Sequence, residues 1–117
     1  MMSQLVNASN GQTLANFVEV ASTFAQRNKG LLGREGLPKD KTLWIHNCPS
    51  IHTFFMKFRL DVIFVDHKLK VTSVHRNVGP WRLIFFGGWG AKDVFEFSAG
   101  AISQDKVQPG DQLDVVD

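Results

Sequence analysis

Apolar and polar residues succeed one another along this chain in short runs, too brief and too closely spaced for long helices. Leu14 to Val20 reads as a strand with Phe17, Val18 and Val20 as its apolar content, and the polar first ten residues carry at most a loose strand. Ala21-Ser22-Thr23 then opens the best helical pattern. Ser22 or Thr23 supplies a side-chain oxygen that accepts from the orphan amides of the first turn. Phe24, Ala25, Leu31 and Leu32 are the apolar positions, while Gly30 and Gly33 hold the helix to about two turns. Strand patterns follow at Thr42 to His46, Ile51 to Met56, Asp61 to Asp66, Val71 to Arg76, Val94 to Phe97 and Leu113 to Val116. The unbroken apolar run Val62-Ile63-Phe64-Val65 predicts burial on both faces. His67-Lys68-Leu69-Lys70 reads as a hairpin turn, and Asn77-Val78-Gly79-Pro80 and Pro109-Gly110-Asp111 as further turns. This spacing predicts a mainly β, compact antiparallel sandwich or barrel-like domain spanning residues 1–117, with one short helix plugging an end or covering an edge.

Composition adds limits. A chain of 117 residues with 44% hydrophobic content buries roughly two-thirds of its unfolded surface, enough for a core without disulfides or metal. The aromatic content is ten Phe and three Trp with no Tyr, which fills a core without adding phenolic hydroxyls. Thirteen basic against eleven acidic residues leave a net charge of +2, and the tightest basic grouping, Lys39 with Lys41, is interrupted by Asp40. With no basic stripe in the sequence, no nucleic-acid partner is expected. The single cysteine, Cys48, excludes an internal disulfide framework. No run of 18 apolar residues occurs, so no membrane span is expected. The N-terminus lacks a basic segment followed by an apolar run, so a cytoplasmic location is expected, although a form with its leader removed would read the same way.

Six segments in order carry a family resemblance: Gly30-Leu31-Leu32-Gly33-Arg34 with Leu37, Cys48-Pro49-Ser50-Ile51-His52-Thr53-Phe54-Phe55-Met56, Asp61 to Asp66, Pro80-Trp81-Arg82, Phe95-Glu96-Phe97-Ser98-Ala99-Gly100, and Pro109-Gly110-Asp111. Together the chain resembles domain of unknown function 192, also called uncharacterised protein family UPF0127, in its short HTFxM form. The resemblance implies a compact, mainly antiparallel β fold and no established activity. Departures fall at Arg59, where such members usually carry proline, at Leu69, where they usually carry glycine, and in the unusually apolar Leu83-Ile84-Phe85-Phe86.

Several residues could carry chemistry. Cys48 is either a small buried hydrophobe or a thiol activated by His52. In an extended Ile51 to Met56 strand, His52, Phe54 and Met56 share one face and Thr53, Phe55 and Lys57 the other. A histidine there either bonds to backbone or lines a cavity. No HExxH, CxxC or HxH spacing occurs. His46, Cys48 and His52 are the one set that could assemble zinc across strands, His67 and His75 lying on a different hairpin. No metal and no cofactor are expected. Arg34, Lys57, Arg59 and Arg82 are cationic candidates for an anion, the alternative being a structural pair with Asp61 or Glu96. Gly87-Gly88-Trp89-Gly90 lacks a GxGxxG phosphate pattern and reads as a mobile loop.

Three functions compete. The first is a binding module for a small ligand, an anionic one among the candidates. Its candidate contacts are Arg34, His52, Thr53, Met56, Lys57, Asp61, Trp81, Arg82 and Glu96. The second is an interaction module that docks a protein or self-associates through Leu83, Ile84, Phe85, Phe86 and Trp89. The third is an enzyme using Cys48 or His52.

Overall fold

Every residue of the segment Leu60–Val65 is buried, and this strand organises the molecule. The chain runs β1 (Gln4–Asn7), β2 (Gln12–Ala15), β3 (Phe17–Ala21), α1 (Phe24–Lys29), β4 (Lys41–Ile45), β5 (Ile51–His52), β6 (Leu60–Val65), β7 (Val71–Val78), β8 (Leu83–Ile84), β9 (Asp93–Ser98) and β10 (Leu113–Val116). The computed structural model describes residues 3–84 and 87–117, so Phe85 and Phe86 lie outside the described residues, as do the side chains of Phe24, Asn28 and Ile84.

The central sheet has the order β3-β4-β9-β6-β7; a second sheet has the order β10-β1-β2, and β5 pairs with β8 alone. Strands β6 and β9 lie side by side from Leu60↔Ser98 to Val65↔Asp93. Successive side chains of a strand point to opposite faces. Ile63, Val65, Phe95 and Phe97 therefore pack with Leu5, Leu14, Leu113 and their neighbours on one side. Leu60, Val62, Phe64 and Val94 pack with Leu31, Leu37, Ile45 and Met56 on the other. The fold is a mainly β domain with layered sheets, as the periodicity predicts, with one short helix and no closed barrel among the described residues.

Besides the unexpected strand β8 and the extension of β7 to Val78 into the expected turn, the structure departs from the expected elements at three further places. The expected Leu14 to Val20 strand is two strands, because the chain changes sheets at Asn16: β2 pairs with β1, whereas β3 pairs with β4. The amides of Asn16 and Phe17 both donate to the carbonyl of Asp40 at this switch. The β3–β4 pair is also parallel, in an otherwise antiparallel set, and α1 lies in the crossover that a parallel pair requires. Finally, only Ile51–His52 of the Ile51 to Met56 run is strand. Thr53 begins a turn in which its carbonyl accepts from the Met56 amide at 3.2 Å, and Phe55 takes a left-handed φ of 66°. The period-two face assignment fails there: Thr53 and Met56 are buried while Phe55 is exposed.

Local signals explain the rest. Thr23 caps α1 in a reciprocal box with Gln26, and Gly30 ends the helix, donating its amide to the carbonyl of Gln26. The β6–β7 hairpin survives without glycine at Leu69. That residue has a left-handed φ of 62°, and the Asp66 carboxylate accepts from the amides of Lys68 and Lys70 at 2.8 and 2.9 Å. The side chain of Leu69 packs on the core, which offsets the strain of a non-glycine residue in this region. Arg59 lies over Gly79, its Nη1 3.1 Å from where a Cβ would stand, and donates to the side-chain and backbone oxygens of Asn77. The start of the glycine loop is anchored: Gly87 donates to the carbonyl of Pro49 and accepts from the hydroxyls of Thr72 and Ser73.

Two substitutions test this framework. Asp61 is buried on β6 and accepts from the amides of Asn77, Gly100 and Ile102 at 2.8, 2.9 and 3.3 Å. Asp61→Ala leaves these donors without their charged partner, and urea denaturation is expected to show a loss of about 3 kcal/mol. A Cβ at Gly87 would stand 2.2 Å from Phe64 Cγ. Gly87→Ala is expected to cost about 2 kcal/mol by overpacking, read as a lowered melting temperature.

Candidate functional site

Three carboxylates project from the two central strands, and they are treated differently. Asp61 receives the three amides described above. Asp93 is buried and accepts from Trp44 Nε1, the Asn47 amide and His46 Nδ1 at 2.9, 2.9 and 3.0 Å. Glu96 is 5% exposed. It points to the face opposite Phe95 and Phe97, between Leu43 and Val62 on the neighbouring strands. Among the described residues no donor hydrogen-bonds to its carboxylate. Burial accordingly pushes Glu96 up from 4.5 to about 7, opposed only in part by the positive field of Arg34.

The Glu96 carboxylate borders a cavity of about 160 Å³. The segment after α1 packs against β9 and β4 at Gly30: a Cβ there would stand in ordinary contact, 3.5 Å from Glu96 Oε1 and 3.6 Å from Ile45 Cδ1. What favours glycine here is the backbone, with a φ of 49°. Leu31, Ile45, Ile51 and Met56 form apolar walls; Cys48, Ser50 and His52 form a polar side, and Arg27 and Lys29 add cations from α1. His52 is on the exposed side, its ring stacked on Phe54 at 5.2 Å.

The Cys48 thiol donates to the Ser50 carbonyl at 3.1 Å. Burial first, and then the charge of Glu96, push it up to about 11. At neutral pH about one thiol in ten thousand is ionised at such a value, and the thiolate is the nucleophilic form.

Of the residues singled out from the sequence, His52, Met56, Glu96 and Cys48 come together at this cavity. The others are elsewhere. Arg34 pairs with Glu19 rather than with Asp61 or Glu96, through Nη1 at 3.2 Å and a second, shorter bond from Nη2. Lys41 lies 3.0 Å from the same carboxylate, and Glu19 is held down near 2 by these cations. Arg34 borders a separate recess on the other side of Gly30. Lys57 reaches Glu35 at the surface. Thr53 is buried, donating to the Gly79 carbonyl at 2.6 Å and accepting from the Arg82 amide at 2.8 Å. Trp81 and Arg82 are exposed. His46 faces Asp93, so the His46, Cys48 and His52 set does not assemble, and among the described residues no group of three metal-ligating side chains occurs. Leu83 and Trp89 are exposed, Trp89 at 92%. Sequence reasoning passed over Asp93, Glu19 and the cations of α1, because none sits in a recognisable spacing.

The Glu96 carboxyl gives a pH signature. Below pH 4.5 it is neutral in folded and unfolded chains alike. As pH rises toward 7 the unfolded chain ionises while the folded one keeps its proton, so stability falls. The penalty reaches about 3 kcal/mol above pH 7. Thermal melts from acid to alkaline pH are expected to show this decline in the wild type and a flatter profile in Glu96→Gln.

The chain and its fold are similar to those of known proteins. The chain is 33% identical over 118 residues to a UPF0127 protein of Thermococcus sibiricus, covering 94% of this chain and 73% of the relative. It is 31% identical over 118 residues to one of Pyrococcus abyssi, covering 97% of each. A crystal structure from Sinorhizobium meliloti, provisionally described as a transcription regulator, aligns with a TM-score of 0.79 at 26% identity, covering 97% of this chain and 91% of that one. A protein of unknown function from Novosphingobium aromaticivorans shares the fold, with a TM-score of 0.79 at 22% identity, over 96% of this chain and 82% of that one. The family model DUF192, described as uncharacterized ACR, matches residues 5–115, and the chain belongs to that family.

Proposed function

We propose that the domain is a binding module whose cavity takes a small ligand. The ligand presents a hydrogen-bond donor or protonated nitrogen to Glu96 and an anionic group to Arg27 and Lys29. The observation that carries this reading is the buried Glu96 carboxylate, without a donor among the described residues and bordering open space. A buried carboxylate is costly without a partner, and Asp61 and Asp93 on the same strands each have three donors. A ligand that donates to Glu96 recovers that cost.

The cavity is similar in size to one of about 150 Å³ that holds benzene, so the ligand is a compact molecule rather than a nucleotide. Leu31, Ile45, Ile51 and Met56 suit a short apolar middle, and His52 is a polar contact at the exposed side. A protonated Cys48 favours binding over thiol catalysis at this site. Its lone thiol calls for no oxidising compartment, which agrees with a cytoplasmic location. No helix among the described residues is long and apolar enough to cross a membrane.

Short ω-amino and ω-guanidino carboxylates are the probes. Titrated above pH 7, where Glu96 is ionised, they are expected to shift the amide resonances of Leu31, Ile51 and Met56 in NMR spectra. Glu96→Gln is expected to weaken binding by about tenfold or more, the loss of a charge-assisted hydrogen bond. Unperturbed cavity resonances at millimolar probe, or equal affinity in the variant, rule the reading out.

A further inference from the structure

A second surface lies away from the cavity, along β7. Arg59, His75, Arg76 and Arg82 line a broad recess there, and no carboxylate is among its lining residues. Two of the arginines are held by neutral groups. Arg59 donates to the amide side chain and carbonyl of Asn77, and Arg76 donates to the carbonyls of Ile102, Ser103 and Val107 at 3.0, 3.2 and 2.7 Å. Such bonds position a guanidinium without cancelling its charge. Arg59 and Arg82 are exposed, and among the described residues neither forms an ion pair with a carboxylate.

Aromatic side chains adjoin the recess. Trp81, next in the chain to Arg82, is 61% exposed, and Phe55 is 70% exposed. Their rings meet edge to face at 4.7 Å, with Phe54 6.0 Å from Trp81. Both residues have left-handed backbones, φ 66° at Phe55 and 65° at Trp81, a costly state for a bulky side chain. The strain is pinned by buried Thr53, whose carbonyl accepts from the amides of Trp81 and Met56 and whose hydroxyl bonds to the Gly79 carbonyl. A core that needed only to be filled would not hold two aromatics outward on strained backbone.

We infer that this recess and its aromatic rim bind single-stranded nucleic acid, with phosphates on Arg59, Arg76 and Arg82 and an unpaired base on Trp81 or Phe55. Uncancelled positive charge selects a polyanion, and exposed rings beside it offer stacking that is tolerant of sequence. The arginines line a concavity, which a flexible strand enters more readily than a flat bilayer surface. A duplex keeps its base faces stacked internally and gains nothing from Trp81. The inference departs from the expectation drawn from composition, which found no basic stripe; residues 59, 76 and 82 are scattered in sequence and gathered by the fold. It does not depend on the cavity at Glu96.

Fluorescence anisotropy of labelled oligo(U) and oligo(dT), with a duplex and anionic phosphatidylserine vesicles alongside, tests it. Binding to single strands is expected to weaken with salt, with a log–log slope of about −2 for three neutralised phosphates. Arg82→Gln is expected to reduce the slope by about 0.7. Trp81→Asn, which keeps a residue tolerant of left-handed backbone, is expected to weaken binding about fivefold or more. Circular dichroism verifies that both variants remain folded, and Arg82→Gln, at an exposed side chain, carries the test if Trp81→Asn does not. Four results overturn the inference: no oligonucleotide binding at low salt, equal binding of duplex, binding to vesicles alone, or single-strand binding unchanged in folded Arg82→Gln.

Discussion

Burial of β6 and β9 on both faces is the constraint on which the rest of the structure depends. Two strands covered on both sides need two layers of cover. The β10-β1-β2 sheet supplies one, and the segments around α1, Leu37 and Met56 supply the other. The second cover is assembled from a short helix and turns rather than a sheet, and it leaves a gap where Gly30 approaches the strand. The cavity is thus a consequence of how the second layer is built.

The same constraint makes the polar residues of these strands informative. A carboxylate carried into a two-sided core must find donors or be neutral. Asp61 and Asp93 find donors in backbone amides and in Trp44 and His46, and they tie loops to the sheet. Glu96 finds none among the described residues and is pushed up toward neutrality. That difference separates two structural acids from a candidate ligand contact, although all three sit in similar apolar surroundings. The surface along β7 follows a different logic: Arg59 and Arg76 are held there by neutral groups and the aromatics are held outward by Thr53.

Much of the fold was legible in sequence. Val62 to Val65 announced a strand buried on both faces, Thr23 announced the helix start, and segments in family order pointed to DUF192. The alternation of Ile51 to Met56 misled, because a two-residue strand and the turn that follows can share the polarity pattern of a longer strand. The Leu14 to Val20 run misled for a related reason: a chain that changes sheets at Asn16 keeps its apolar content while its partners change.

Of the candidate site, the residue types His52, Met56, Cys48 and Glu96 could be named from the sequence, but their meeting could not. Local patterns are written in residues a few positions apart, so strands, caps and turns follow from the sequence by itself, as does the burial of the central strand. Which carboxylate lacks a donor depends on atoms brought from far along the chain. Gly30 reaches Glu96 across 66 positions, and the same folding gives Arg34 to Glu19 instead. Only the tertiary structure decided that Glu96 borders an opening while Asp61 and Asp93 are closed in, because desolvation and hydrogen-bond satisfaction are properties of the packed neighbourhood.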